Sequence, residues 1–403
     1  MSCPTAIKIH SLKFHKFEEN FEMLEIINKK KSFETPCVIV DYQRLVQNII
    51  SIQKVADDNR IELRPHIKTH KCLEIARLQL ENGAAGITCA KTEEALVFAK
   101  DGVSSITVAY PVIDEPKLIR LISTCRQLDI ELGIVVDSKY GVRNISKIAA
   151  QFEKVVKIFI KIDVGLHRCG LQKNDPEIIK LAQSIKQQSY LEFAGLLAHA
   201  GHSYAAKNRE EIREITDTEK SDLIHVKNEL NKNGIGVPEI SVGSTPTVLA
   251  TNNFDGVTEI RPGNYVFMDN TPLRLGLISD DRIALKVLAT VVSKNDEYFI
   301  IDAGAKILSS DTGAHGSGGD IGFGLAYPLE ESYKQDDFLV VCRLSEEHGF
   351  LKRNKSINLS IGQKILIVPN HSCAVTNLVD YITAVYPDGN FQQWSIAARG
   401  CSK

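Results

Sequence analysis

Eight apolar runs recur through the middle of this chain at a spacing that leaves few folds open. They lie at 61–67, 86–90, 106–110, 131–136, 156–162, 192–199, 238–243 and 257–261, with amphipathic helical stretches between them, clearest at 92–100, 115–126 and 210–231. Strand patterns that alternate with helical ones read as βαβ units and a parallel sheet. Eight such units in about 220 residues match the count and length of a (β/α)8 barrel of the TIM type. Beyond Asp269 the texture changes: runs at 283–292, 298–302, 337–344, 364–368 and 381–385 read as strands separated by turns, without helices. A second, mainly β domain is expected there. The run Cys37-Val-Ile-Val40, ahead of a helix over 42–52, is surplus to the barrel count and is assigned to that domain. The expected division is therefore a barrel over 43–270 and a mainly β domain from 1–42 plus 271–403. Phe14, Phe17, Phe21, Leu24 and Ile27 predict one apolar helical stripe near the start, and the Gly-rich stretch 311–320 predicts a mobile loop.

A chain of 403 residues can bury the cores of two domains. Its formal net charge of -2, with basic residues scattered except at Lys29, Lys30 and Lys31, implies no general attraction to nucleic acid or to an anionic membrane. No run approaches the roughly 18 apolar residues that a membrane span needs. The nine cysteines are odd in number and form no Cys-x-x-Cys pair, which points to a reducing compartment. The first residues lack the apolar core of a signal peptide, so a cytoplasmic location is expected.

In a parallel barrel the chemistry sits at the C-terminal ends of the strands. The first strand ends in Arg64-Pro-His66-Ile-Lys68-Thr-His70-Lys71. Pro65 cannot continue a sheet ladder, so the strand stops there and Arg64, His66, Lys68 and His70 are expected in one place. A lysine among such cations has a depressed pKa and is a better amine nucleophile. The same string reads equally as a solvated or phosphate-binding turn. The fifth strand ends in Lys161-Ile-Asp-Val-Gly-Leu-His-Arg168-Cys-Gly170, which alone is a surface turn. The sixth ends in Ala198-His199-Ala-Gly-His202-Ser-Tyr204; one histidine there is commonly structural, whereas two with a tyrosine suggest a site. The seventh and eighth give Ser241-Val-Gly243-Ser244-Thr245 and Glu259-Ile-Arg261-Pro-Gly263-Asn264-Tyr265. Small residues let backbone N–H groups approach a phosphate, and barrels often place a phosphate site after these two strands. In the second domain, His371-Ser-Cys373 on an extended segment would point two donors suited to Zn²⁺ the same way, although such a pair is as readily core packing.

Taken together, these motifs resemble the D-threonine aldolase and D-serine dehydratase family, relatives of alanine racemase with a fold-type III barrel, over residues 34–400. The resemblance implies that Lys68 carries pyridoxal phosphate as a Schiff base and that His66 shares its cofactor-binding segment. It places Arg168 beside the phenolic oxygen, His199 against the pyridine ring and Tyr204 near the ring nitrogen. Gly243, Ser244, Thr245, Gly263, Asn264 and Tyr265 would surround the phosphate. A divalent metal, Zn²⁺ first and Mn²⁺ or Mg²⁺ as alternatives, is implied on His371 and Cys373, making these two residues catalytic together with Lys68. The string Gly-Leu-His-Arg168-Cys-Gly looks closer to the aldolases, whereas Cys373 is associated with zinc-dependent dehydratases. Family members commonly have His where this chain has Arg261.

The function so implied is a lyase of small D-3-hydroxy amino acids, of D-threonine aldolase type, giving glycine and acetaldehyde. D-serine dehydratase, giving pyruvate and ammonia, is the alternative, and a racemase comes last because the metal pair would then have no task. Small pyridoxal-phosphate barrels that serve cofactor homeostasis lack the second domain. A homodimer is expected. The segments 301–311 and 344–349 also match without an assigned role; Asp302 and Glu347 are candidates for groups at the edge of the cofactor or behind the ligands. Residues 397–400 resemble the family's C-terminus.

Overall fold

The computed structural model describes residues 33–313, 322–329 and 337–403. The expected apolar stripe near the start, the three-lysine run and positions 314–320 of the Gly-rich loop lie outside the described residues. The chain divides into two compact units. One comprises Ile50–Ser203, Arg209–Gly263 and Gly400–Lys403; the other comprises the described residues up to Ile49, Tyr204–Asn208 and the described residues of Asn264–Arg399.

Strands are numbered along the chain from β1 (Cys37–Asp41). The first unit holds β2 (Glu62–Leu63), β3 (Ile87–Cys89), β4 (Ser105–Val108), β5 (Glu131–Val136), β6 (Val156–Lys161), β7 (Leu191–Leu197), β8 (Glu239–Val242) and β9 (Glu259–Ile260). All pair in parallel, in the order β2-β9-β8-β7-β6-β5-β4-β3. A bridge between His66 and Thr88 closes the ring, with Thr88 N–H donating to the Pro65 carbonyl at 2.8 Å. The expected eight-stranded barrel is therefore present, with its helices Thr92–Lys100, Glu115–Gln127 and Arg209–Lys232 where the periodicity put them. Asp114 and Ser138 cap two barrel helices by accepting N–H bonds from Lys117 and Gly141. Apolar strands pack face to face through residues such as Val135, Phe159, Ala194 and Leu197. The pairing of β6 with β7 shifts register between Ile158 and Phe159, beside Gly195. A Cβ on Gly195 (φ 153°) would stand 2.0 Å from the Glu239 carbonyl oxygen, so only glycine lets β7 and β8 meet there.

The second unit is antiparallel except where β1 and β16 run parallel. It contains β1 together with β10 (Leu285–Lys294), β11 (Tyr298–Ile301), β12 (Gly324–Pro328), β13 (Leu339–Leu344), β14 (Gly349–Lys352), β15 (Lys364–Pro369), β16 (Tyr381–Val385) and β17 (Phe391–Ser395). Because β10 pairs with both β15 and β11, the series β10-β11-β14-β13-β12-β15 closes on itself as a six-stranded barrel. Strands β1, β16 and β17 extend from β10, and Phe33, Ile39, Leu288, Leu329, Leu366 and Val385 form a core beneath them. Cys37–Asp41 thus joins this sheet, as expected. The expectation of strands without helices is corrected: short helices Asn270–Arg274, Ala305–Leu308 and Ser372–Thr376 interrupt them. Among the described residues no helix is long and apolar enough to cross a membrane.

Candidate active site

Strand β2 ends at Leu63, ahead of Pro65, and a bridge continues at His66; Lys68 is not at the strand's tip but lies in a 3-10 turn, Ile67–Thr69, that begins at His66. The expected gathering of Arg64, His66, Lys68 and His70 is corrected in two places. Arg64 turns toward the start of the barrel strands, where its Nε donates to Glu259 at 2.6 Å and its Nη1 to Ser105 Oγ at 2.7 Å. A buried carboxylate inside the barrel claims that guanidinium more strongly than an open edge full of cations. His70 is buried beneath the turn, accepts the Cys72 N–H at Nδ1 (3.2 Å), and is pushed down to about 3 by burial. Lys71 pairs with buried Glu94 at 3.4 Å.

Other residues supply the company that Lys68 keeps. Burial, and next the charge of Lys68, hold His66 and His199 well below the ordinary imidazole range; Lys161, Arg168 and Arg261 act the same way. His66 Nδ1 is buried without a hydrogen-bond partner. Lys161, enclosed at the end of β6, is pushed down to about 7 by burial and by Arg261, partly opposed by Cys169 and Glu219. Arg168 is exposed on the loop after β6. Arg261 is buried: its Nε donates to Ser241 Oγ at 2.6 Å and its Nη2 to the Ala198 carbonyl. Positive charge therefore dominates around the two imidazoles, with Glu219 and Glu259 as the buried counter-charges. A site of this kind favours an anionic occupant, and the phosphate and phenolate of pyridoxal phosphate fit that donor set.

Gly263 packs directly on the lysine turn, since a Cβ there would lie 2.8 Å from the His66 carbonyl oxygen and 2.9 Å from Thr69 Oγ1. Gly243 takes a positive φ of 102° ahead of the helix Thr245–Ala250, which Ser244 caps. Two of the backbone donors expected to face a phosphate are engaged within the chain. Gly243 N–H bonds Glu219, and Ser244 N–H donates to Thr247 Oγ1 at 2.8 Å. Tyr204, half-buried in the 3-10 turn Gly201–Ala205, and buried Asn264 and Tyr265 belong to the second unit.

In the second unit His371 and Cys373 come together, but not on an extended segment, which corrects that expectation. His371 is the N-cap (φ -145°, ψ 98°) of the helix Ser372–Thr376, and Cys373 sits in its first turn. The Cys373 thiol still hydrogen-bonds the imidazole. His371 Nδ1 meets Asp311 Oδ2 at 2.7 Å. Burial works against a charged imidazole there, yet Cys373, Asp311 and Asp269 together raise His371 well above its ordinary value. One nitrogen and one sulfur converging in this way suit a borderline divalent ion with open positions. Among the described residues no group of three or more His, Cys, Asp and Glu stands ready as a fuller cage. Asp302 accepts from Thr35 Oγ1 (2.6 Å) and Thr290 N–H (2.7 Å), and Glu347 pairs with exposed Lys306.

Residues 40–271 match the family described as "Alanine racemase, N-terminal domain", and residues 284–385 match the "Putative serine dehydratase domain". The chain belongs to the alanine racemase-like family. It falls with the lyases of that family. Over 372 residues it is 30% identical to D-threo-3-hydroxyaspartate dehydratase of Delftia sp. (strain HT23), covering 90% of this chain and 97% of that one. The solved structure of that dehydratase superposes with a TM-score of 0.83, again at 30% identity and covering 90% and 97% of the two chains. A cysteine-to-alanine variant of it is described as a metal-free form. D-threonine aldolase of Arthrobacter sp is 30% identical over 381 residues, covering 92% of this chain and 94% of that one. D-serine dehydratase of Dictyostelium discoideum is 31% identical over 365 residues, covering 85% and 91%.

In this alanine racemase-like chain, sequence reasoning left several polar residues without a part. Lys161 carried a signal, as a cation closing the apolar strand Val156-Lys-Ile-Phe-Ile-Lys161. Glu219 carried another, occupying the apolar stripe of its helix between Ile212 and Leu223. Asp269 and Asp311 lie in turns and gave none.

Proposed function

We propose that this chain is a pyridoxal-phosphate- and divalent-metal-dependent lyase of D-3-hydroxy amino acids. The excess of cations around Lys68, His66 and His199 is the observation that carries the cofactor half of this reading. Lys68 Nζ is the amine that holds the cofactor, and Arg168, His199 and the turns at Gly243 and Gly263 complete its surroundings. Bound there, pyridoxal phosphate supplies an electron sink for whichever bond breaks at the substrate's α-carbon. His371 and Cys373 would hold the metal, whose Lewis acidity polarises a substrate hydroxyl. Tyr204, Asn264 and Tyr265 are assigned to positioning the cofactor, by resemblance.

The rest of the chemistry belongs to the chain's own side chains. His66 and His199 stay neutral at pH 7, since burial and the neighbouring cations disfavour their protonation. They therefore orient without delivering a proton. In the aldolase outcome, loss of the proton from the substrate hydroxyl breaks Cα–Cβ and releases acetaldehyde from D-threonine, and the α-carbon then takes up a proton to become glycine. The strand-end string around Arg168 supports that outcome. A second reading, dehydration, has Lys68 Nζ take the α-proton as hydroxide departs from D-serine, after which water hydrolyses the released enamine to pyruvate and ammonia. The thiol donor at Cys373 favours it, together with the relative whose cysteine variant is metal-free.

The test of the assignment is direct. Borohydride reduction of the wild type should fix the cofactor to the chain, with the label on the peptide containing Lys68, and Lys68→Ala should show neither. A Lys68→Ala protein that still gave a reducible cofactor absorbance would remove Lys68 from this role.

A further inference from the structure

Asp311 closes a segment, 301–311, to which neither the sequence nor the proposed reaction gives a task. Its carboxylate is not a loose surface group. Asp311 Oδ1 accepts the Gly313 N–H at 3.0 Å, and Asp311 N–H donates to Ser309 Oγ at 3.1 Å, so the turn fixes its direction. Oδ2 then meets His371 Nδ1 at 2.7 Å. The opposite side of the pair is fixed independently. Fully buried Asp269 accepts at Oδ2 from Ser372 N–H (2.9 Å), Ser372 Oγ (3.2 Å) and Asn264 Nδ2 (2.7 Å), which pins the residue between His371 and Cys373.

An imidazole whose Nδ1–H is given to a carboxylate has Nε2 as its remaining lone-pair nitrogen. A carboxylate in that position also makes the ring a more basic ligand. Charge is consistent as well: one thiolate and one carboxylate balance a divalent cation. We propose that Asp311 is a positioning residue of the metal site. It fixes the His371 tautomer so that Nε2 is the ligating nitrogen, without itself binding the ion. This rests on His371 and Cys373 being the metal ligands.

The experiment uses the full-length protein loaded with pyridoxal phosphate, titrated with Zn²⁺ against a chromophoric chelator and, separately, with Co²⁺. Variants are Asp311→Ala, which removes the acceptor, and Asp311→Asn, which keeps an acceptor oxygen but not the charge. Asp311→Ala should weaken Zn²⁺ binding about 10- to 100-fold, with Asp311→Asn in between. In both, the sulfur-to-cobalt charge-transfer band should persist, because Cys373 still binds. A merely structural role for Asp311 would not produce that combination. Zn²⁺ affinity unchanged in Asp311→Ala, while His371→Ala loses it, would overturn the positioning role and leave the ligand assignment standing. Loss of the cobalt band in Asp311→Ala would equally overturn it, by making Asp311 a direct ligand or a fold determinant. Wild-type affinity in both His371→Ala and Cys373→Ala would remove the ligand assignment itself.

Discussion

Glu239→Gln should stabilise the protein in alkaline but not in acidic solution. Glu239 opens β8 beside a polar cavity of about 660 Å³ at the N-terminal mouth of the barrel, lined also by Arg64, Glu131 and Lys157. Burial first, and the negative charge of Glu259 next, push its carboxyl up from 4.5 to about 7; Lys157 and Arg64 oppose this, and Glu62 adds to it. The nearest compensating cation, Lys157, is 3.9 Å away and already pairs with Glu131 at 2.8 Å. At about 1.4 kcal/mol per pH unit, that shift corresponds to a ceiling of about 3 kcal/mol. With 27% of the side chain exposed, solvent screening reduces it to about 2 kcal/mol. The folded pKa lies above the unfolded one, so the native state holds the extra proton between pH 4.5 and 7. Stability therefore falls as pH rises through that window, and the penalty is complete above pH 7. Glutamine cannot ionise and escapes it. Urea melts of wild type and variant at pH 5 and pH 8 should show no gain at pH 5 and a gain of about 2 kcal/mol at pH 8. A variant equally destabilised at both pH values would refute this account of the barrel mouth.

Two further substitutions test the barrel interior. Glu259→Gln leaves Arg64 buried without its 2.6 Å carboxylate partner and should cost about 3–5 kcal/mol in chemical denaturation; a cost under about 1 kcal/mol would show the pair to be dispensable. Gly263→Ala drives a methyl into the His66 carbonyl and Thr69, displacing the lysine turn. Overpacking of about 1–3 kcal/mol should lower pyridoxal-phosphate affinity roughly tenfold or more, read from cofactor absorbance during dialysis, and unchanged retention would contradict that contact.

The barrel was legible because its strands are continuous apolar runs, β-branched and buried on both faces, set at regular intervals among amphipathic helices. The second unit was less so, for local reasons. Strand β17, Phe391-Gln-Gln-Trp-Ser395, is an edge strand with only Trp394 buried, and β14 is four residues long. The helix at Ser372–Thr376 spans little more than one turn, too short for a periodic pattern. Within the site, motif residues were readable as types, but the direction of each side chain was not. Arg64 and Lys68 are four residues apart, yet the first answers to Glu259 inside the barrel and the second sits in the turn beyond Pro65. That separation depends on a carboxylate 195 positions away in the chain, which no local pattern records.

The central claim is that this chain cleaves or dehydrates D-3-hydroxy amino acids using Lys68 and a metal. The protein, loaded with pyridoxal phosphate and Zn²⁺, should be incubated separately with D-threonine, D-serine and their L-enantiomers, and the products identified by mass spectrometry. The account predicts glycine with acetaldehyde, or a 2-oxo acid with ammonia, from the D-enantiomers alone. Either product set should vanish after chelation, return with Zn²⁺, and be absent from Lys68→Ala. Racemisation without lyase products, or turnover untouched by chelation, would contradict it.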